Sequence, residues 1–178
     1  MQKRIALLTL FTFVITAAGF AQMGGKNRPS PAASATCDLG GGKNIKTDYY
    51  SPRMKGRKIF GGLVPYGEVW RTGANDATTF VTTANLTVGG KSVPAGNYTI
   101  FTIPNPDKWT LIVNKKTGEW GIPYKYEADE LLRTDMMVSK TPSAVENFTI
   151  SFDQKGGACT LNIAWADNKS SAEFMESK

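Results

Sequence analysis

The stretch Lys55 to Asp76 carries the densest set of groups able to do chemistry in this sequence: Lys55, Arg57, Lys58, Glu68, Trp70, Arg71, Asn75 and Asp76, threaded among five glycines. It is too long and irregular for a hairpin, and long ordered loops of this kind often carry function. Arg53, Lys55, Arg57 and Lys58 form a cationic set able to receive an anionic ligand, or a charged rim. Gly56 to Gly62 has the outline of a phosphate loop, but the lysine and hydroxyl that should follow the last glycine are absent. Arg71 and Asn75 suit either a ligand contact or a role in satisfying buried backbone groups beneath the loop. Trp120, within Gly118-Glu119-Trp120-Gly121-Ile122-Pro123, is a large indole in a loop and needs either a packing partner or a ligand. The binding set read from the sequence is Arg57, Trp70, Arg71, Asn75, Asp76 and Trp120.

The chain has no histidine. That removes Ser-His-Asp and Cys-His nucleophilic systems and histidine-ligated zinc, copper or non-haem iron. Carboxylate acid–base chemistry survives, with Glu68, Asp76 and Glu119 as its candidates. It requires two carboxyl groups converging in one cleft. Glu127, Asp129 and Glu130 lack the spacing of a calcium loop and read as a solvated turn. No cofactor and no metal are expected.

The segments around this loop must position it, and they read as strands. Phe148, Ile150 and Phe152 alternate with Thr149, Ser151 and Asp153, the period-two pattern of a strand with one wet face. Tyr98 to Ile103 is apolar on both faces and reads as central. Ala77 to Thr83, Trp109 to Asn114, Arg133 to Lys140, Cys159 to Trp165 and Ser170 to Glu176 extend the set, with a weaker candidate over Ile45 to Tyr50. Gly89-Gly90 and Pro94-Ala95-Gly96-Asn97 read as hairpin turns. Glu127 to Arg133 alone has helix-like composition. About nine or ten strands, all antiparallel, imply an all-β sandwich or jelly-roll-like barrel with at most one short helix. Alternation puts Trp109, Trp165 and Trp70 among the core aromatics.

At the N-terminus, Lys3 and Arg4 precede the apolar run Ile5 to Ala18, and Gly19-Phe20-Ala21 supplies small residues where a signal peptidase reads them. This predicts a signal peptide over residues 1–21, cleaved before Gln22, and a periplasmic or extracellular address. Residues 22–36, rich in Gly, Pro and Ser, read as a flexible linker, and 37–178 as a single β domain. Removing Lys3 and Arg4 leaves +4 of the formal +6 charge, too mild an excess to point to nucleic acid. No membrane span is expected after cleavage. The two cysteines of an exported chain suit one bridge, Cys37 to Cys159, because the alternation around Cys159 buries its sulfur.

Tyr50-Ser-Pro-Arg-Met-Lys-Gly-Arg-Lys-Ile-Phe-Gly-Gly-Leu-Val-Pro-Tyr-Gly-Glu-Val-Trp-Arg-Thr-Gly-Ala-Asn-Asp resembles the signature of the bacterial "domain of unknown function 2911" family. Pro94-Ala-Gly-Asn-Tyr-Thr-Ile-Phe-Thr-Ile-Pro, Trp109-Thr-Leu-Ile-Val-Asn and Glu146-Asn-Phe-Thr-Ile-Ser-Phe are similar to its later blocks. The resemblance spans roughly Cys37 to Trp165. It implies an exported single-domain protein and carries over no catalytic residue. The leading expectation is a non-catalytic binding module for an anionic small molecule, a glycan or an envelope protein. The alternatives are a carboxylate-based hydrolase or lyase and a structural or assembly component of the cell envelope.

Overall fold

The computed structural model describes residues 28–177. The expected signal peptide and the expected linker as far as residue 27 lie outside the described residues. The chain forms β1 (Ala32–Gly40), β2 (Lys43–Tyr50), β3 (Thr78–Thr82), β4 (Leu86–Val88), β5 (Lys91–Val93), β6 (Gly96–Ile103), β7 (Trp109–Asn114), β8 (Glu130–Lys155) and β9 (Ala158–Glu176), with a single 3-10 turn at Glu127–Asp129. All strands pair antiparallel in one ladder ordered β1-β2-β3-β6-β7-β8-β9-β4-β5. The ladder folds over itself, and β1 packs against β8 and β9. Among the described residues no helix is long and apolar enough to cross a membrane.

Turn chemistry sets the tight hairpins. Gly156 and Gly157 sit at φ 56° and 81° between the paired ends Lys155 and Ala158. A two-residue turn of this hand needs positive φ at both positions, which glycine adopts without steric cost. Gly89-Gly90 does the same between β4 and β5. Pro94-Ala95 departs from its hairpin reading: it joins β5 to β6, which do not pair, because β6 lies between β3 and β7 instead. Its burial on both faces follows from that central place.

Two segments read separately, around Arg133–Lys140 and Phe148–Phe152, are one 26-residue strand. Register shifts between Lys140 and Val145 and between Val145 and Thr149 carry the chain past Pro142, whose missing N–H a regular ladder would not accept. Two corrections concern strand starts. β1 begins at Ala32, inside the stretch read as linker: Ala33 and Ala35 pack against the core in the same alternation that buries Cys37 and Leu39, and β2 supplies the backbone partners. Glu127–Arg133 makes only its 3-10 turn before β8 begins at Glu130, because Leu132 and Arg133 pair with Val113 and Ile112 of β7.

Cys37 of β1 and Cys159 of β9 form a disulfide, both residues buried. The core around it is aromatic. Trp70 lies within 6.4 Å, centroid to centroid, of Phe60, Trp109, Phe148 and Trp165. On the other face of β6 and β7 a second cluster forms from Ala77, Phe101 and Ile112. Val69, Tyr124 and Tyr126 pack on it, which seats the 122–127 segment against the sheet.

Candidate functional site

The chain leaves the sheet at Tyr50 and returns at Thr78, and each third of this long excursion is tied down. Its first third extends the β8 edge. Met54 N–H donates to the Glu146 carbonyl at 2.8 Å, Phe148 N–H to Pro52 at 2.9 Å, and Ser51 Oγ to the Phe148 carbonyl at 2.7 Å. In the middle third Ile59, Phe60 and Val64 enter the core. In the last third Trp70 pairs with Thr102 of β6 through reciprocal backbone bonds of 2.8 and 2.9 Å. Thr72 and Asn75 there adopt φ of 56° and 57°. The Thr78 hydroxyl donates to the Thr72 carbonyl at 2.6 Å, closing the turn.

Between this excursion, the Pro29–Pro31 segment and the 122–127 segment lies a cleft of about 1050 Å³, at the upper limit of the size of small-molecule sites. Val64, Val69, Trp70, Trp165 and Ile122 give it apolar walls. Arg53, Lys55, Arg57 and Arg71 line it as cations, against two acids, Glu68 and Glu127. The ion pairs of the described residues leave these four cations out, the Arg28–Asp76 pair beside the cleft included. Lys43, Lys46, Lys108, Lys116, Arg133, Lys140 and Lys169 each pair with a carboxylate, whereas none of the four cleft cations does.

The two arginines Arg57, exposed, and Arg71, half-buried, are held differently. The Arg57 guanidinium is held by backbone: Nε donates to the Met54 carbonyl at 3.0 Å and Nη2 to Arg53 at 2.7 Å. Arg71 makes one long bond, Nη1 to the Trp120 carbonyl at 3.4 Å, and its Nε is buried with no partner among the described residues. The Trp120 indole covers the same guanidinium at 4.9 Å. Burial pulls the Arg71 pKa below its ordinary value, partly opposed by the charge of Asp76.

Of the residues singled out in the sequence, Arg57, Trp70 and Arg71 line the cleft. Trp70 does so from the core, where it is buried. Asn75 is buried outside it and donates to the Ser30 carbonyl at 3.2 Å, fastening the N-terminal segment to the loop. Asp76 is engaged by Arg28 at 2.5 Å. Trp120 stands beside the cleft over Arg71, 54% exposed. Lys58 faces a smaller cavity of about 300 Å³ on the other side of Arg57. The three carboxylates do not gather: Glu68 lines the cleft, Asp76 meets Arg28, and Glu119 lies 4.0 Å from Lys116.

Sequence reasoning missed the opposite walls, Pro29–Pro31 and Ile122–Tyr124. The only local signal for them is the prolines and Tyr124 flanking short loops. A polar network holds the second wall. The Tyr124 hydroxyl donates to Glu130 Oε1 at 2.7 Å and accepts from Asn114 Nδ2 at 3.1 Å. Arg133 Nε and Nη2 clasp the same carboxylate at 2.7 Å each. Burial, with the bond to Glu130, keeps the Tyr124 phenol protonated far above its usual range.

A family model described as "Protein of unknown function (DUF2911)" matches residues 30–174, which takes in every wall of the cleft except Pro29. No curated protein and no solved structure matches the chain.

Proposed function

The chain belongs to the DUF2911 family, and from that premise we propose that it is an exported, non-catalytic binding protein whose cleft takes a small anion with an apolar body. The observation that carries this reading is the charge bookkeeping of the cleft: four cations line an apolar cavity and none has a carboxylate partner among the described residues. Four cations against the two acids Glu68 and Glu127 leave the cleft with a positive excess that attracts an anion, and the apolar walls favour a ligand that brings surface to bury. The disulfide suits an oxidising compartment, either periplasm or cell exterior. Catalysis is no part of the proposal, since Glu68 is the one carboxylate of the expected three that lines the cleft.

The test is calorimetric titration of the purified full chain with octanoate, octyl phosphate and indole-3-acetate, and with the neutral octanamide as comparator. The reading expects saturable one-to-one binding of at least one anion. That binding is lost when Arg53, Lys55 and Arg57 are all replaced by Ser. Absence of binding by every anion, or equal binding of octanamide, overturns it.

A further inference from the structure

We propose that Arg71 is the carboxylate anchor of the cleft and that the Trp120 indole is a side-chain lid which a ligand's carboxylate displaces; this rests on reading the cleft as an anion site. The case begins with a contrast between two arginines in the same cavity. Arg57 spends Nε and Nη2 on the Met54 and Arg53 carbonyls, so the edge of its fork best shaped for a carboxylate is occupied. On Arg71 the same edge is open: Nε is buried without a partner, and the single bond of the guanidinium leaves from Nη1. A buried N–H with no acceptor carries its full desolvation penalty, and a bidentate carboxylate on the Nε–Nη2 edge removes it. Asp76, the acid whose charge Arg71 feels, is already engaged by Arg28.

The Trp120 indole lies over the face of the Arg71 guanidinium. The backbone of Trp120 is fixed, because Gly121 lies so close beneath that a Cβ there would come within 2.9 Å of the Cβ atoms of both Arg71 and Ala77. Its side chain is not fixed in that way: the indole is 54% exposed and stacks on the guanidinium at 4.9 Å. Opening therefore needs a rotation of one side chain and no loop movement. The stacking energy it forfeits is modest at an exposed site, whereas a charge-assisted bidentate pair in a partly desolvated wall is among the stronger polar contacts.

The surroundings choose the ligand class. Val69, Ile122, Pro123 and Tyr124 line the cleft beside Arg71, and the other three cations sit on the separate 53–57 segment. One guanidinium in an apolar wall matches a monoanionic, planar carboxylate on an aliphatic or aryl body. A phosphate dianion asks for more positive charge at the same point.

Octanoate, octyl phosphate and octanamide titrated into the full chain, R71K and W120A separate the outcomes, with acrylamide quenching of tryptophan emission followed in the parent and in W120F. The proposal expects octanoate to bind tightest. R71K, which keeps the charge and loses the fork, should weaken it about tenfold. W120A should tighten it about threefold, because no stacking has to be broken. Octanoate should also change the quenching of the component that W120F removes. An unchanged affinity in R71K, a weaker one in W120A, or Arg71-dependent binding of octyl phosphate as tight as octanoate overturns the assignment while leaving an anion cleft in place. Should R71K fail to fold, the parent decides alone: quenching of Trp120 unaltered by bound octanoate overturns the lid. If no anion binds the parent at all, the cleft reading itself falls.

Discussion

The Trp70 indole N–H donates to the Gly73 carbonyl at 3.0 Å, so one side chain both fills the centre of the aromatic core and fixes the turn that returns the loop to the sheet. The ring stacks on Trp165 with centroids 6.0 Å apart and meets Phe148 edge-on at 5.2 Å. Trp70 is thus the joint between core and cleft: its ring packs among the core aromatics and the residue also lines the cavity.

Trp70→Ala should cost about 3–5 kcal/mol, the range for truncating a buried large aromatic. Trp70→Phe keeps most of the packing and strands the Gly73 carbonyl, at about 1–3 kcal/mol. Urea denaturation followed by circular dichroism measures both. A Phe variant as stable as the parent would place the whole effect of Trp70→Ala in lost packing and dismiss the hydrogen bond.

Reducing the Cys37–Cys159 bond should also lower stability. The bond closes a sequence separation of 122 residues, for which the chain-entropy model sets about 5 kcal/mol as the upper figure. It also ties β1, at one end of the ladder, to β9 across the fold. Denaturation with and without reductant, repeated on the Cys37→Ser, Cys159→Ser double variant, checks this. Coincident urea midpoints in all three would mean that pairing with β2 alone holds β1.

The fold was legible where one residue pattern decides one element. Alternation marked the Phe148–Phe152 part of β8, β-branched and aromatic composition marked Trp109–Asn114, and the Gly89-Gly90 turn marked the β4–β5 hairpin. It was illegible where contacts made far along the chain decide. Nothing in Thr141-Pro142-Ser143-Ala144 announces that bulges will carry a strand through it, and alanines at alternate positions give β1 too weak an apolar signal to separate it from a linker. The candidate site divides the same way. The cations of the 53–57 segment stand together in sequence, but the walls facing them are recruited by the Asn75 bond to Ser30 and by the Asn114 Nδ2 bond to the Tyr126 carbonyl at 2.8 Å. Which arginine lacks a partner is a fact of three-dimensional placement and has no sequence signature.

Glu130 should give the acid limb of stability a dependence that Glu130→Gln removes. The Arg133 guanidinium, with help from the Tyr124 hydroxyl, holds its carboxyl below the ordinary value of 4.5, against the opposing effect of burial. A folded-state value lower than the unfolded one means the stabilisation is present in full above about pH 4.5 and is lost as pH falls through the folded value. Urea midpoints measured from about pH 6 down to about pH 3 should fall less steeply in Glu130→Gln than in the parent. Parallel falls would show that other carboxylates set the acid limb. Because Tyr124 lines the cleft, the variant should also loosen that wall, read as faster hydrogen exchange over residues 122–127.

Among the cleft cations, Arg57 should matter most of the 53–57 set, because two short bonds to backbone carbonyls hold its guanidinium before any ligand arrives, whereas Arg53 makes a single long bond of 3.4 Å to Ser51 Oγ. A cation already ordered loses little side-chain entropy on binding, whereas Lys55 must be immobilised at that moment. Arg57→Ala should therefore weaken binding of an apolar anion about tenfold and Lys55→Ala distinctly less. Lys108→Ala, which breaks an exposed ion pair with Asp135 away from the cleft, should leave the affinity unchanged. Raising ionic strength from about 0.05 to about 0.5 M should weaken binding in the parent and have less effect in Arg57→Ala, since screening acts on charges still reached by solvent. Equal losses in Arg57→Ala and Lys108→Ala would show that net charge draws the anion and that the bonds to Met54 and Arg53 only brace the turn.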